Sequence, residues 1–195
     1  RNKIEKLNKQ LSIKKALLSD GYGRYLWNKL YKKNIIVEHN LKFNESITIG
    51  EDPLFTINYL IKCDTISYSD TPKYHYYYRK TSALNSSFNG KKLSSIEAYK
   101  EIIRLISSAN LNLSSLAYSV TISSAVSLLI QALNSRSKNE YVDIITTHIN
   151  NYSKYLNKNI YASNKLKIYV KLINFNPKLF HMSWLFLNRI KKALS

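Results

Sequence analysis

The sequence predicts a predominantly helical α+β protein, with a small mixed α/β segment followed by a helical bundle. The mixed segment, with a short β-hairpin, covers about residues 1–90, and the helical part about 91–195. Three observations carry this. Only 4 Gly and 3 Pro in 195 residues argue against a turn-rich β sandwich. From Leu93 onward, apolar residues return at the helical period. Two stretches rich in Tyr and β-branched residues, 66–68 and 74–80, stand in the first part as the two strands.

In chain order, residues 1–19 carry Ile4, Leu7, Leu11, Leu17 and Leu18 between Lys and Gln, which predicts a first helix. Asp20-Gly21-Tyr22-Gly23 ends it, since glycines release the backbone into turns. Trp27-Asn28-Lys29 follows, then a short apolar piece, Ile35-Ile36-Val37. Glu51-Asp52-Pro53 signals a helix start: Asp accepts from free N–H groups, and Pro suits the first helical position. That helix is expected over about 53–62. In the second part Ala98, Ile102, Leu105, Ile106 and Ala109 keep a 3.6-residue period, as do Tyr141, Ile144, Ile145, Ile149, Tyr152 and Leu156. Residues 114–133 form a Ser-rich helix whose thin amphipathicity predicts burial on more than one face. Asn-rich breaks near 110–112, 134–139 and 157–159 separate the helices, and Asn176-Pro177 ends one and opens the last.

Hydrophobic residues at 45 % and charged residues at 22 % exclude wholesale disorder. The single cysteine, Cys63, excludes an internal disulfide framework and fits a reducing, cytoplasmic setting. No run of about 18 apolar residues occurs, so no bilayer-spanning helix is expected. The chain opens on Arg1 with no apolar leader and reads as a piece of something longer. Its net charge of +18 sits at the ends: residues 1–50 carry eleven bases and four acids, and residues 151–195 nine bases and no acid. Two sources compete for that charge. One is a coding bias towards Lys, Asn, Ile and Tyr; the other is an anionic partner, namely a nucleotide, an acidic lipid surface or a nucleic acid.

Walker, GxGxxG and GxSxG motifs are absent, which excludes those nucleotide cradles and the serine-hydrolase elbow. Four scattered histidines and one cysteine give no zinc spacing, so no metal ligand is assigned in this chain. Glu51 and Asp52 are chain neighbours and cannot flank a sugar from both sides, as a glycoside hydrolase requires.

What remains is an ordered set of segments: Trp27-Asn28-Lys29-Leu30-Tyr31, then Phe43, Glu45, Gly50-Glu51-Asp52 and Phe55, then Tyr76-Tyr77-Tyr78-Arg79 with Ser82. In order and spacing these resemble the C-terminal portion of bacterial family-2 glycosyltransferases of the GT-A-like fold, which build surface polysaccharides or decorate glycoproteins. The resemblance covers roughly residues 15–90. It implies sugar transfer from a nucleotide-sugar donor to a glycan, lipid-linked or protein acceptor. It also implies a divalent metal, Mg or Mn, in the complete enzyme. Such enzymes carry a nucleotide-binding half ending in Asp-x-Asp; these 195 residues contain no such triplet. The chain by itself is therefore expected not to catalyse.

An inverting transfer needs a base for the acceptor hydroxyl and positive charge for the departing diphosphate. The resemblance makes Asp52 the base and Glu51 its neighbour on the acceptor side. Asp52 before Pro53 is also a good helix N-cap, so the two roles compete. Strand alternation would put His75, Tyr77 and Arg79 on one face, suited to phosphate oxygens, with Ser82 donating from the next loop. Trp27, Asn28 and Lys29 complete the donor-side candidates; the competing readings are a core tryptophan and a solvated basic face.

In the last helix Phe180, Trp184, Leu187, Ile190 and Leu194 share one face, while Met182, Leu185 and Phe186 cover much of the other. With Arg189, Lys191 and Lys192 at its end, this helix suits an anionic membrane, in which case the protein works at the inner face of the cell membrane. The competing reading is a helix that closes a bundle or packs on a second subunit in a homo-oligomer. A basic helical binding module and a purely structural oligomerisation domain are thus the alternatives to a transferase fragment. Nucleic acid is disfavoured as a partner: only six of thirty bases are Arg, and no nucleic-acid motif occurs.

Overall fold

Asn8 divides the first predicted helix in two. Its side chain accepts the Leu11 N–H at 2.8 Å, and this N-cap starts α1 (Lys9–Leu17). The residues before it form a strand, β1 (Ile4–Asn8). In the computed structural model, which describes residues 4–18, 22–75, 77 and 87–193, β1 pairs antiparallel with β2 (Thr65–Ser69). Leu7, the one buried residue of β1, stands opposite Ile66. The expected helix over 1–19 is thus half right, because pairing with β2 overrides the local helical pattern. The expected hairpin is corrected too. The partner of β2 comes from far earlier in the chain, and Tyr74, His75 and Tyr77 carry no strand. The remainder of 74–80 lies outside the described residues.

Ile35 and Ile36 form a short helix, α2 (Lys33–Glu38), which packs with Tyr31 on Leu41, Phe55, Tyr59 and Cys63. Helix α3 (Glu51–Ile61) supplies Phe55 and Tyr59 to that cluster and Ile57 and Leu60 to the next. The other α-helices among the described residues are α4 (Ser94–Ser108), α5 (Ser114–Asn134), α6 (Asn139–Ser153), α7 (Asn164–Phe175) and α8 (Pro177–Ala193). The fold is therefore a predominantly helical α+β arrangement with one two-stranded sheet among the described residues.

Helix α5 is the hub. It packs on α1, α4, α6, α7 and α8, and its buried residues Leu116, Thr121, Ile122, Leu128, Leu129 and Ala132 lie on more than one face. Its thin amphipathicity therefore reflects neighbours on several sides. By length and composition α5 is also apolar enough to cross a bilayer, contrary to expectation, and 56 % of that stretch is buried inside the fold. One core joins Ile122, Leu129, Ile145, Ile149, Ile173 and Phe180. A second joins Ile13, Ile57, Ile102, Ile106 and Leu116. That second core draws on both sides of position 90.

Helix α8 packs through only part of its predicted face. Phe180 is fully buried against Tyr169, with ring centroids 5.1 Å apart, and Trp184 is half-buried. Leu187 and Ile190 are exposed, and Leu194 lies outside the described residues.

Candidate functional site

Gly50 fixes the start of α3. Its φ of +98° lies in the left-handed region, and a Cβ there would stand 2.8 Å from the Ala98 Cβ of α4. Only glycine meets both conditions without strain. The chain on its N-terminal side is tied to α4 as well: Thr48 and Ile49 each donate their N–H to the Ser94 Oγ at 3.1 Å. The entry to α3 is thus wedged onto the helical bundle.

Gly50 is the N-cap of α3, with no side-chain capping bond, and Glu51 and Asp52 lie inside the first turn. Asp52 is therefore not the N-cap, and Pro53 takes the third helical position, where its missing N–H costs no helical bond. The Asp52 carboxyl accepts the Leu26 backbone N–H instead. Burial pushes this carboxyl above the usual carboxylate range, opposed by the Leu26 bond and the nearby Lys29 charge. Acidic side chains in a first turn also meet the positive end of the helix dipole.

The loop carrying Trp27-Asn28-Lys29 is organised around Lys29. Its Nζ donates to Gly23 O at 2.8 Å, Tyr25 O at 2.7 Å and Asn28 Oδ1 at 2.8 Å. Three donors meet three oxygens, so the ammonium is a clasp for its own loop. Burial pulls its pKa down to about 8, against the pull of Asp52. Asn28 Nδ2 donates to Tyr22 O at 2.6 Å, and Thr56 Oγ1 donates to Arg24 O at 3.2 Å, which pins the loop to α3. Trp27 is 37 % exposed and stacks between Tyr25 (centroids 5.1 Å apart) and Tyr74 (4.6 Å).

These elements border a cavity of about 770 Å³. Trp27, Asn28, Glu51 and Asp52 line it. Lys29 stands behind that lining. His75 is exposed and does not reach the cavity, although its neighbour Tyr74 stacks on Trp27. Arg79 and Ser82 lie outside the described residues. The opposite wall comes from the helical part: Lys92, Ser95, Tyr99, Ser124 and Gln131. Lys92 is 4 % exposed, and its Nζ donates to Gln131 Oε1 at 2.9 Å. Burial lowers the pKa of its ammonium. Sequence reasoning did not find this wall. Lys92 looked like one base among thirty, and Gln131 sits in a helix that reads as core.

A more open cavity of about 840 Å³ lies between α4 and α6, lined by Glu97, Glu140, Asp143 and His148, and no motif residue reaches it. The resemblance implies a divalent metal in the complete enzyme. Among the described residues no group of three His, Cys, Asp or Glu is placed to hold an ion.

Compared with known proteins, the chain matches no family model, no curated protein and no solved structure.

Proposed function

We propose that this chain is the acceptor-side portion of a glycosyltransferase, moving a sugar from a nucleotide-sugar donor to a glycan, lipid-linked or protein acceptor in bacterial surface polysaccharide or glycoprotein synthesis. The supporting observation is that two segments some twenty residues apart, Trp27-Asn28 and Glu51-Asp52, border one cavity, which a hydroxyl- and amide-rich helical wall closes. Asp52 serves as the base. As the acceptor oxygen attacks the anomeric carbon, its proton passes to the Asp52 carboxylate and the bond to the diphosphate oxygen breaks. A carboxyl held above its ordinary range accepts that proton more readily. Ser95, Ser124 and Gln131 offer hydroxyl and amide groups to a polyhydroxylated acceptor, with Trp27 as an apolar platform. In this reading the nucleotide and its metal belong to a nucleotide-binding half outside these residues, so the 195-residue chain alone transfers no sugar.

The decisive measurement is turnover of Asp52→Asn in the full-length parent enzyme. Asn keeps an oxygen for the Leu26 N–H but cannot take a proton at neutral pH. Turnover should fall by about two to four orders of magnitude, the usual worth of a general base. Donor affinity should stay near normal. Near-normal turnover in the variant would remove Asp52 as the base, whereas a parent enzyme that transfers no sugar from any nucleotide donor would remove this function.

A further inference from the structure

Helix α8 carries two apolar faces, and the fold covers one of them. Phe180 is fully buried and Trp184 half-buried against the bundle. The His181 ring nitrogen meets Asn134 Oδ1 at 2.7 Å, which fixes the helix to the end of α5. On the opposite side Leu179, Met182, Phe186 and Ile190 recur at i, i+3, i+7 and i+11, one continuous stripe at 3.6 residues per turn. All four are exposed, Met182 by 67 % and Phe186 by 64 %. Exposed Lys178 and Arg189 border this stripe along one edge. Helix α7 repeats the arrangement. Leu166, Val170 and Ile173 face the core, while Ile168 (55 % exposed) and Phe175 (79 % exposed) stand opposite, with Lys171 on the same side.

We infer that the open face of α8 docks on an anionic lipid surface, with Met182 and Phe186 inserted among the acyl chains and Lys178 and Arg189 meeting the headgroup phosphates. Charge selects this occupant. Residues 151–195 hold nine bases and no acid. A second copy of the chain brought to this face would set Lys178 and Arg189 against the same two bases with no acid of residues 151–195 to offset them, and like charges across an interface oppose assembly. An acidic bilayer complements the same charge and takes up the apolar stripe in one step. A large aromatic and a methionine on the exposed side of a helix, with Lys and Arg beside them, is the side-chain distribution of a helix lying in a membrane interface. The inference is independent of the transfer chemistry, since no residue of the cavity takes part in it.

The test is co-sedimentation of the intact chain with phosphatidylcholine vesicles and with vesicles that also contain phosphatidylglycerol. Binding should require the anionic lipid and weaken as salt is added. Met182→Ser with Phe186→Ser should weaken it by about tenfold or more, since two large apolar contacts are lost. Both side chains are exposed, so helicity by circular dichroism should not change. Equal indifference to both vesicles would overturn the inference, as would undiminished binding by the double variant. A concentration-dependent dimer of the chain that the double variant abolishes would overturn it as well, and would assign the face to a second copy.

Discussion

Lys29 and Leu129 hold their surroundings by opposite means. Lys29 gives three protons to three oxygens within six residues of chain and so shapes a loop that has almost no regular structure. Leu129 is fully buried in α5 and makes its contribution by excluding water from a cluster that five helices share. The cavity lies where these two regions meet. Its polar rim, residues 22–52, depends on directional bonds and one glycine, while its far wall rests on apolar packing. The difference has a consequence for perturbation. Apolar burial adds up over area and yields gradually, but a loop set by geometry is displaced by a single wrong atom.

The largest stability loss is expected in the packed region. Leu129→Ala removes a fully buried side chain at the hub and should cost about 2–5 kcal/mol in urea unfolding. A loss below about 1 kcal/mol would mean that α5 repacks freely, and the contrast between the two regions would fail. Gly50→Ala comes next. It forces a Cβ into the left-handed region and towards Ala98, at a cost of about 1–3 kcal/mol. Ala98→Gly in the same chain should recover the steric share of that cost and leave the backbone share, a coupling that a double-mutant cycle reads directly. Strict additivity of the two substitutions would show that Gly50 is not wedged against α4.

The helical part was legible because its signal is local. Ala98, Ile102, Ile106, Ile145 and Ile149 are buried where the 3.6-residue period puts them, although Ile144 of the same pattern is exposed, and the Asn-rich breaks fall between α4, α5, α6 and α7. The sheet was less so. Ile4 and Leu7 fit a helix as well as a strand, and only the distant residues 65–69 decide between them. The start of α3 was legible from Asp52-Pro53, but its cap was not: the wedge at Gly50 depends on Ala98, forty-eight residues away. The site was half legible for the same reason. A motif shows which residues line the rim, while Lys92, Ser124 and Gln131 enter the cavity only through the packing of α5 on α4.

The smallest effect expected concerns the stability of Asp52→Asn, and it tests whether the rim holds its carboxylate at a cost to the fold. In the unfolded chain this carboxyl titrates near its ordinary value of 3.8; in the folded chain burial raises it. Over the interval between the two values the folded state binds more protons than the unfolded one. Stability therefore falls as the pH rises through that interval, and the deficit persists at neutral pH. Asn carries no charge to desolvate and keeps an oxygen for the Leu26 N–H. Because the N-cap is Gly50, the exchange removes no capping bond. The variant should therefore melt slightly higher than the parent sequence at neutral pH, and the difference should vanish in acid, where Asp52 is protonated in both states. Thermal midpoints at the two pH values read this directly. If Asp52→Asn is the less stable protein at neutral pH, then Lys29 and Leu26 more than offset the burial of the charge. The carboxylate would then be part of the directional bonding that holds the loop, and the rim would be built for stability as much as the bundle is.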